Sequence, residues 1–268
     1  MDDQAPQPPN DGGLQPPIIG GLGGPSPLLA VDHVTKTFGG LVAVQGLTFR
    51  MEAGEILGLI GPNGAGKTTA FNVISGFYEP IAGYVRFKDQ SVVGRKPHQI
   101  CLRGLTRTFQ IVQPFANLTV LENVMVGAFA RTDDAGEARR AADQVLDFVG
   151  LSPFRAYPAR GLTLAGRKRL EVAKALATRP ELLLLDEVMA GLNPREVAEV
   201  VDLLRRVRDE GTSILVIEHV MHAIMRLCDR ILVIHHGQQI AEGPPREIAR
   251  DKRVVEAYLG EEYLLAAD

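Results

Sequence analysis

Little in this sequence points outward. Its 268 residues hold only two cysteines, Cys101 and Cys228, far apart and without paired spacing. That argues against a disulfide framework and for thiols in a reducing compartment. The longest apolar runs, such as 182–185 and 231–234, fall far short of a bilayer span. No block of basic residues is present and the formal net charge is −3, so charge suggests no nucleic-acid partner. The N-terminus carries Asp2 and Asp3 with no apolar stretch behind them, so a secretory signal is not expected. These absences leave an expected cytoplasmic protein, long enough for one sizeable core, that can still dock on something embedded in a membrane.

What is present starts with Gly61-Pro62-Asn63-Gly64-Ala65-Gly66-Lys67-Thr68-Thr69. This fits in full the phosphate-binding loop pattern of Gly, four residues, Gly, Lys and Ser/Thr. Residues 55–60 before it read as a short buried strand, and residues 67–76 after it read as a helix that Gly76 would end. Glycines let the backbone curl until several N–H groups point inward, and a helix N-terminus adds partial positive charge. A polyphosphate is thereby held, with Lys67 reaching the β- and γ-phosphates and the Thr68 hydroxyl on Mg²⁺.

Along the chain, residues 1–27 are rich in Pro, Gly and Gln with no hydrophobic period, and we expect a disordered tail. Strands are expected at 28–31, 44–51, 83–87 and 104–110, the last ending on Gln110. Phe38, before Gly39-Gly40, is either core packing or a ring that stacks on a base. A loop is expected at 111–121 and helices at 121–130 and 137–149, so residues 95–165 read as an inserted helical subdomain. Further on, helices at 167–178 and 195–210 alternate with apolar strands at 182–185 and 213–217, and one more strand is expected at 228–235. Strands alternating with helices argue for an α/β layered fold.

In open α/β sheets ligands sit beyond the carboxyl ends of the strands. Gln110, Asp186-Glu187 and His219 fall at such ends. An acidic pair after four leucines is either a set of helix-capping residues or part of the phosphate chemistry. In the second case Asp186 holds Mg²⁺, directly or through water, and Glu187 orients or deprotonates the attacking water. His219 is either a structural histidine or a donor to the γ-phosphate.

Taken in order, these motifs resemble the ATP-binding subunit of an ABC transporter, over nearly everything from residue 28 to 259. The resemblance implies a phosphate-loop NTPase core with an N-terminal antiparallel β segment and an inserted α-helical subdomain, together spanning 28–260, and a tail at 261–268. It implies ATP and Mg²⁺ as cofactors. It casts Phe38 as the adenine-stacking aromatic, Gly61, Pro62, Asn63, Gly64, Ala65, Gly66, Lys67, Thr68 and Thr69 as the Walker A loop, and Gln110 as the glutamine that touches Mg²⁺ and assists catalysis. Thr163, Ala165 and Gly166 become the signature, Asp186 the Walker B acid and metal residue, Glu187 the catalytic glutamate, and His219 the switch histidine. The strings Thr108-Phe109-Gln110, Ala190-Gly191-Leu192-Asn193-Pro194, Glu218-His219-Val220-Met221 and Ala257-Tyr258-Leu259-Gly260-Glu261 are similar to the branch that imports branched-chain and related amino acids.

The implied partners are membrane-spanning permease subunits, a second ATP-binding subunit and, indirectly, a solute-binding protein, with the chain peripheral on the inner face of the membrane. Urea or a short amide is an alternative cargo. Two departures stand out. Ala165 replaces a glycine of the usual Leu-Ser-Gly-Gly-Gln, although Thr163 keeps a hydroxyl, and Asn193 stands where many members carry Asp. A soluble ATPase switch with no membrane partner fits less well, since the chain has one phosphate loop and no sustained heptads. A GTPase or a small-molecule kinase fits least, for no Asn-Lys-x-Asp string occurs and the Leu162 to Glu171 region has no role there.

Overall fold

The computed structural model describes residues 26–109 and 114–265, with side chains to residue 258. Gln110, residues 111–113, most of the expected N-terminal tail and the last three residues lie outside the described residues.

Strands β1 (Leu29–Phe38) and β2 (Leu41–Met51) form a hairpin, and the short apolar strand β3 (Ile56–Ile60) leads through the glycine-rich loop into α1 (Lys67–Ile74). Next come β4 (Ala82–Phe87), β5 (Gln90–Ser91), α2 (Pro97–Leu102) and β6 (Leu105–Arg107). Helices α3 (Val120–Ala128) and α4 (Ala135–Val149) precede α5 (Leu164–Leu176). Then β7 (Leu182–Asp186), α6 (Pro194–Asp209), β8 (Ser213–Ile217) and α7 (Met221–Leu227) alternate. Strands β9 (Arg230–His235) and β10 (Gln238–Gly243) and helices α8 (Pro245–Ile248) and α9 (Lys252–Leu265) close the described chain.

Two sheets result. The first runs β2-β1-β4-β5 and is antiparallel. The second runs β10-β9-β3-β8-β7-β6, parallel from β9 to β6 with β10 antiparallel on its edge. The expected α/β architecture with an N-terminal antiparallel segment is therefore present.

The central strands are apolar on both faces because both are covered. Side chains alternate across a strand, so Leu183 and Leu185 of β7 join Ile214 and Val216 of β8 in one core, with α3 to α6. Leu182, Leu184, Leu215 and Ile217 face the other way, against Phe71 and the β1–β2 hairpin. The expected Cys228 thiol is buried in the first core.

Several boundaries move. The stretch 95–165 is not wholly helical, because β6 pairs in parallel with β7 and completes the main sheet. Helix α5 begins at Leu164 rather than 167, because the Thr163 hydroxyl accepts the Gly166 N–H and caps it there. Helix α9 runs past residue 260 to Leu265, so no break in structure marks a tail at 261.

Candidate functional site

Because β3, β8 and β7 are neighbours and parallel, their carboxyl ends open on one edge of the sheet. The loop at 61–66 follows β3, Glu218-His219 follows β8, and Asp186-Glu187 ends β7. The topology thus brings the loop together with residues that the sequence leaves more than 100 positions further on.

The loop needs its glycines. Gly66, the N-cap of α1, has φ +103°, and a Cβ there would lie 2.2 Å from the Ala43 carbonyl oxygen of β2. Gly61, at φ +154°, would place one 2.0 Å from Ile234 O. The curl is therefore wedged between β2 and β9, directly ahead of the α1 N-terminus. Lys67 is buried, and its Nζ donates to Gly61 O at 2.5 Å and Pro62 O at 2.7 Å. Thr68 is exposed, Thr69 half-buried, Asn63 and Gly64 exposed, and Pro62 and Ala65 buried.

Phe38 ends β1, half-exposed, with its ring edge-on to Tyr78 at 5.1 Å and Lys36 Nζ 5.3 Å from its centroid. It pairs with Leu41, two residues before the Ala43 that touches Gly66, so an exposed aromatic borders the loop.

Asp186 is 1% exposed. Its Oδ2 accepts Arg107 Nη2 at 2.8 Å, while Oδ1 is buried with no donor among the described residues. Burial pushes the Asp186 carboxyl above its ordinary range, and Arg107 pulls against that rise. Arg107 is itself fixed by Asn72 Oδ1 at 2.5 Å and stacked near the rings of Phe71, Phe77 and Phe109. Sequence reasoning missed it. The signal was an arginine inside a short strand that leads to Gln110, where a solvent-facing cation has no reason to be.

Glu187 stands at φ +52°, a left-handed backbone unusual for a residue with a side chain. Its Oε1 lies 2.8 Å from His219 Nε2. The two residues expected to work on water and γ-phosphate are thus in contact. The arrangement does not use Asp186 and Glu187 as helix caps, since α6 begins at Pro194 under its own cap, Asn193, which accepts the Glu196 N–H at 3.0 Å. That capping also accounts for asparagine in place of aspartate, as both cap equally well.

In the signature segment Thr163 and Leu164 are exposed and Ala165 and Gly166 half-buried. Leu164 packs against Gly191, where a Cβ would come within 3.1 Å of Leu164 Cδ2. The segment belongs to the start of α5 and joins the 191–193 turn.

Among the described residues no group of three or more His, Cys, Asp and Glu could hold a metal by itself. The donors instead fit a hard cation that takes most of its ligands from elsewhere. One orphaned carboxylate oxygen, Asp186 Oδ1, and one exposed hydroxyl, Thr68, are what Mg²⁺ accepts when phosphate and water complete its shell.

Comparisons with known proteins agree with this geometry. Residues 44–190 match the family model described as ABC transporter, and residues 238–263 match that of a branched-chain amino acid ATP-binding cassette transporter. The chain is 40% identical over 251 residues to the high-affinity branched-chain amino acid transport ATP-binding protein LivG of Escherichia coli K12, covering 88% of this chain and 98% of that one. It is 38% identical over 253 residues to the corresponding protein BraF of Pseudomonas aeruginosa, with the same coverages. In three dimensions it is similar to the crystal structure of the ADP conformation of MJ1267, an ATP-binding cassette of an ABC transporter. That match has TM-score 0.81 and 29% identity, over 88% of this chain and 99% of that one.

Proposed function

The chain belongs to the ABC transporter family, and we propose that it is the ATP-hydrolysing subunit that powers an importer of branched-chain amino acids. The observation that carries the reading is the convergence at one sheet edge of the curled loop with Lys67, the half-satisfied Asp186 and the Glu187–His219 pair.

Loop N–H groups and Lys67 bind the phosphates of ATP, with the Lys67 ammonium exchanging the Gly61 and Pro62 carbonyls for phosphate oxygens. Phe38 offers its exposed face to the adenine. Thr68 and Asp186 Oδ1, with Gln110, would hold Mg²⁺, which supplies charge neutralisation to the phosphates. Glu187 takes a proton from water placed in line with the γ-phosphate, and His219 donates to that phosphate and steadies the Glu187 carboxylate. Thr163 and the start of α5 face outward, available to the nucleotide of a second ATP-binding subunit.

No helix among the described residues is long and apolar enough to cross a membrane. The importer reading, resting on the likeness to branched-chain amino acid transport ATP-binding proteins, puts the chain on the cytoplasmic face of permease subunits that carry the solute path. Substituting Glu187→Gln in the assembled transporter should leave ATP binding within a few-fold of wild type and lower turnover at least a hundredfold. Lys67→Ala should weaken ATP binding itself. Near-normal hydrolysis by Glu187→Gln would remove Glu187 from the role.

A further inference from the structure

Two buried ionisable side chains beside the site have no part in the chemistry just described. Lys168 is 6% exposed and Glu218 is 1% exposed. Burying a charge is unfavourable unless the fold uses it, and both charges act on the same short turn. Lys168, in the second turn of α5, donates from Nζ to the Glu187 carbonyl oxygen at 2.7 Å. Glu218, beyond the tip of β8, accepts the Met189 N–H on Oε1 at 2.6 Å, and the His219 N–H also points to its carboxylate. The turn is further held by the Glu187 N–H, which donates to Ile217 O at 2.9 Å. Burial pulls the Lys168 ammonium below its ordinary pKa, and the nearby Glu218, Glu187, Asp186 and Glu171 carboxylates pull against that fall.

This turn holds Glu187 in its left-handed backbone at φ +52°. Such a conformation persists only where neighbours over-determine it. The direction of the Glu187 side chain, and with it the 2.8 Å contact to His219, follows from that backbone.

We propose that Lys168 and Glu218 are positioning residues, a buried ammonium and a buried carboxylate that grip the 187–189 turn by its backbone and aim Glu187 for hydrolysis. The inference rests on Glu187 acting as the base. Because Lys168 lies four residues beyond Leu164 on α5, the grip also makes the start of that helix and the Glu187 carbonyl move together.

The test compares variants in the full transporter, measuring kcat and KM for ATP, with thermal unfolding as a control for folding. Lys168→Met should lower kcat at least tenfold with KM within twofold of wild type, and Lys168→Arg, which restores donors, should recover at least a third of wild-type kcat. Glu218→Ala should show the same split, and Glu218→Gln, which retains an oxygen for the Met189 N–H, should recover most of the loss. A kcat within twofold of wild type for Lys168→Met overturns the proposal. So does a loss that the conservative variants do not recover, or one matched by a rise in KM, since either reads as damaged packing. Wild type and Glu187→Gln are run alongside. A wild-type complex inactive with MgATP, or an active Glu187→Gln, overturns the proposed function, whereas an active Lys168→Met beside an inactive Glu187→Gln overturns only the positioning role.

Discussion

Asp186 and Glu187 are adjacent in sequence yet open onto two different regions. Asp186 looks toward α1 and β6, into a buried corner where Arg107 occupies one of its oxygens and aromatic rings lie over the guanidinium. Glu187 looks toward β8, partly solvated, against a half-exposed histidine and on a strained backbone. The first region fixes a charge in place; the second leaves a carboxylate reachable by water. On the proposed reading Asp186 is the metal-holding acid, which suits the former, and Glu187 is the base, which suits the latter, one residue apart along the chain.

The largest expected effect comes from breaking the Asp186 corner. Arg107→Leu leaves a buried carboxylate without its cation, a change that costs about 3–5 kcal/mol when a buried pair loses one partner. Thermal unfolding should drop by on the order of 10 °C for a chain of this size. Asp186→Asn on the Arg107→Leu background should recover part of the loss, because the stranded charge is gone. Equal stability of the single and double variants would show that Arg107 acts through its ring contacts instead.

How much of this was legible in sequence follows the range of the interactions. The phosphate loop, the four-leucine strand and the polar pairs Asp186-Glu187 and Glu218-His219 at strand ends depend on local spacing, and each stands where the pattern placed it. The position of Glu187 beside His219 depends on β7 pairing with β8, which spacing alone does not specify. Lys168 and Glu218 look like ordinary surface charges in the string; only the packing of α5 and β8 buries them. Edge strand β10, Gln-Gln-Ile-Ala-Glu-Gly, carries too little apolar alternation to signal itself and forms because β9 needs a partner. The start of α5 differs from the expected 167 because Gly166 at its third position weakens the helical pattern, while the Thr163 hydroxyl that overrides it, noted in the string only as part of the signature, caps the helix.

A smaller effect sharpens the comparison by adding a third carboxyl, more enclosed than either. Burial raises Glu218 to about 7, against the pull of backbone N–H groups and of Lys168, with Glu187 adding to the rise. Its folded value therefore lies above its unfolded one. Between about pH 4.5 and 7 the folded chain holds a proton that the unfolded chain has released, so this group's contribution falls as pH rises through that window. The fall is roughly 1.4 kcal/mol per pH unit. Glu218→Gln does not titrate, so the stability of wild type relative to that variant should decline from pH 5.5 to 7 and then level off. Parallel curves across that range would mean that Glu218 stays ionised in its pocket.

The smallest expected effect concerns a side chain that faces backbone rather than ligand. Asn193 accepts the Glu196 N–H at 3.0 Å, and Glu196 reaches back to the Asn193 N–H at 2.9 Å, a reciprocal cap on α6. Asn193→Ala should cost about 1 kcal/mol, and Asn193→Asp should cost almost nothing, since either side chain supplies the oxygen. Turnover separates this position from the carboxylates at the tip of β7. If the side chain serves the helix alone, Asn193→Asp leaves kcat unchanged. A marked rise in kcat for the aspartate would mean that the 191–193 turn reaches the chemistry through charge, and that asparagine there attenuates this chain's hydrolysis rather than merely starting a helix.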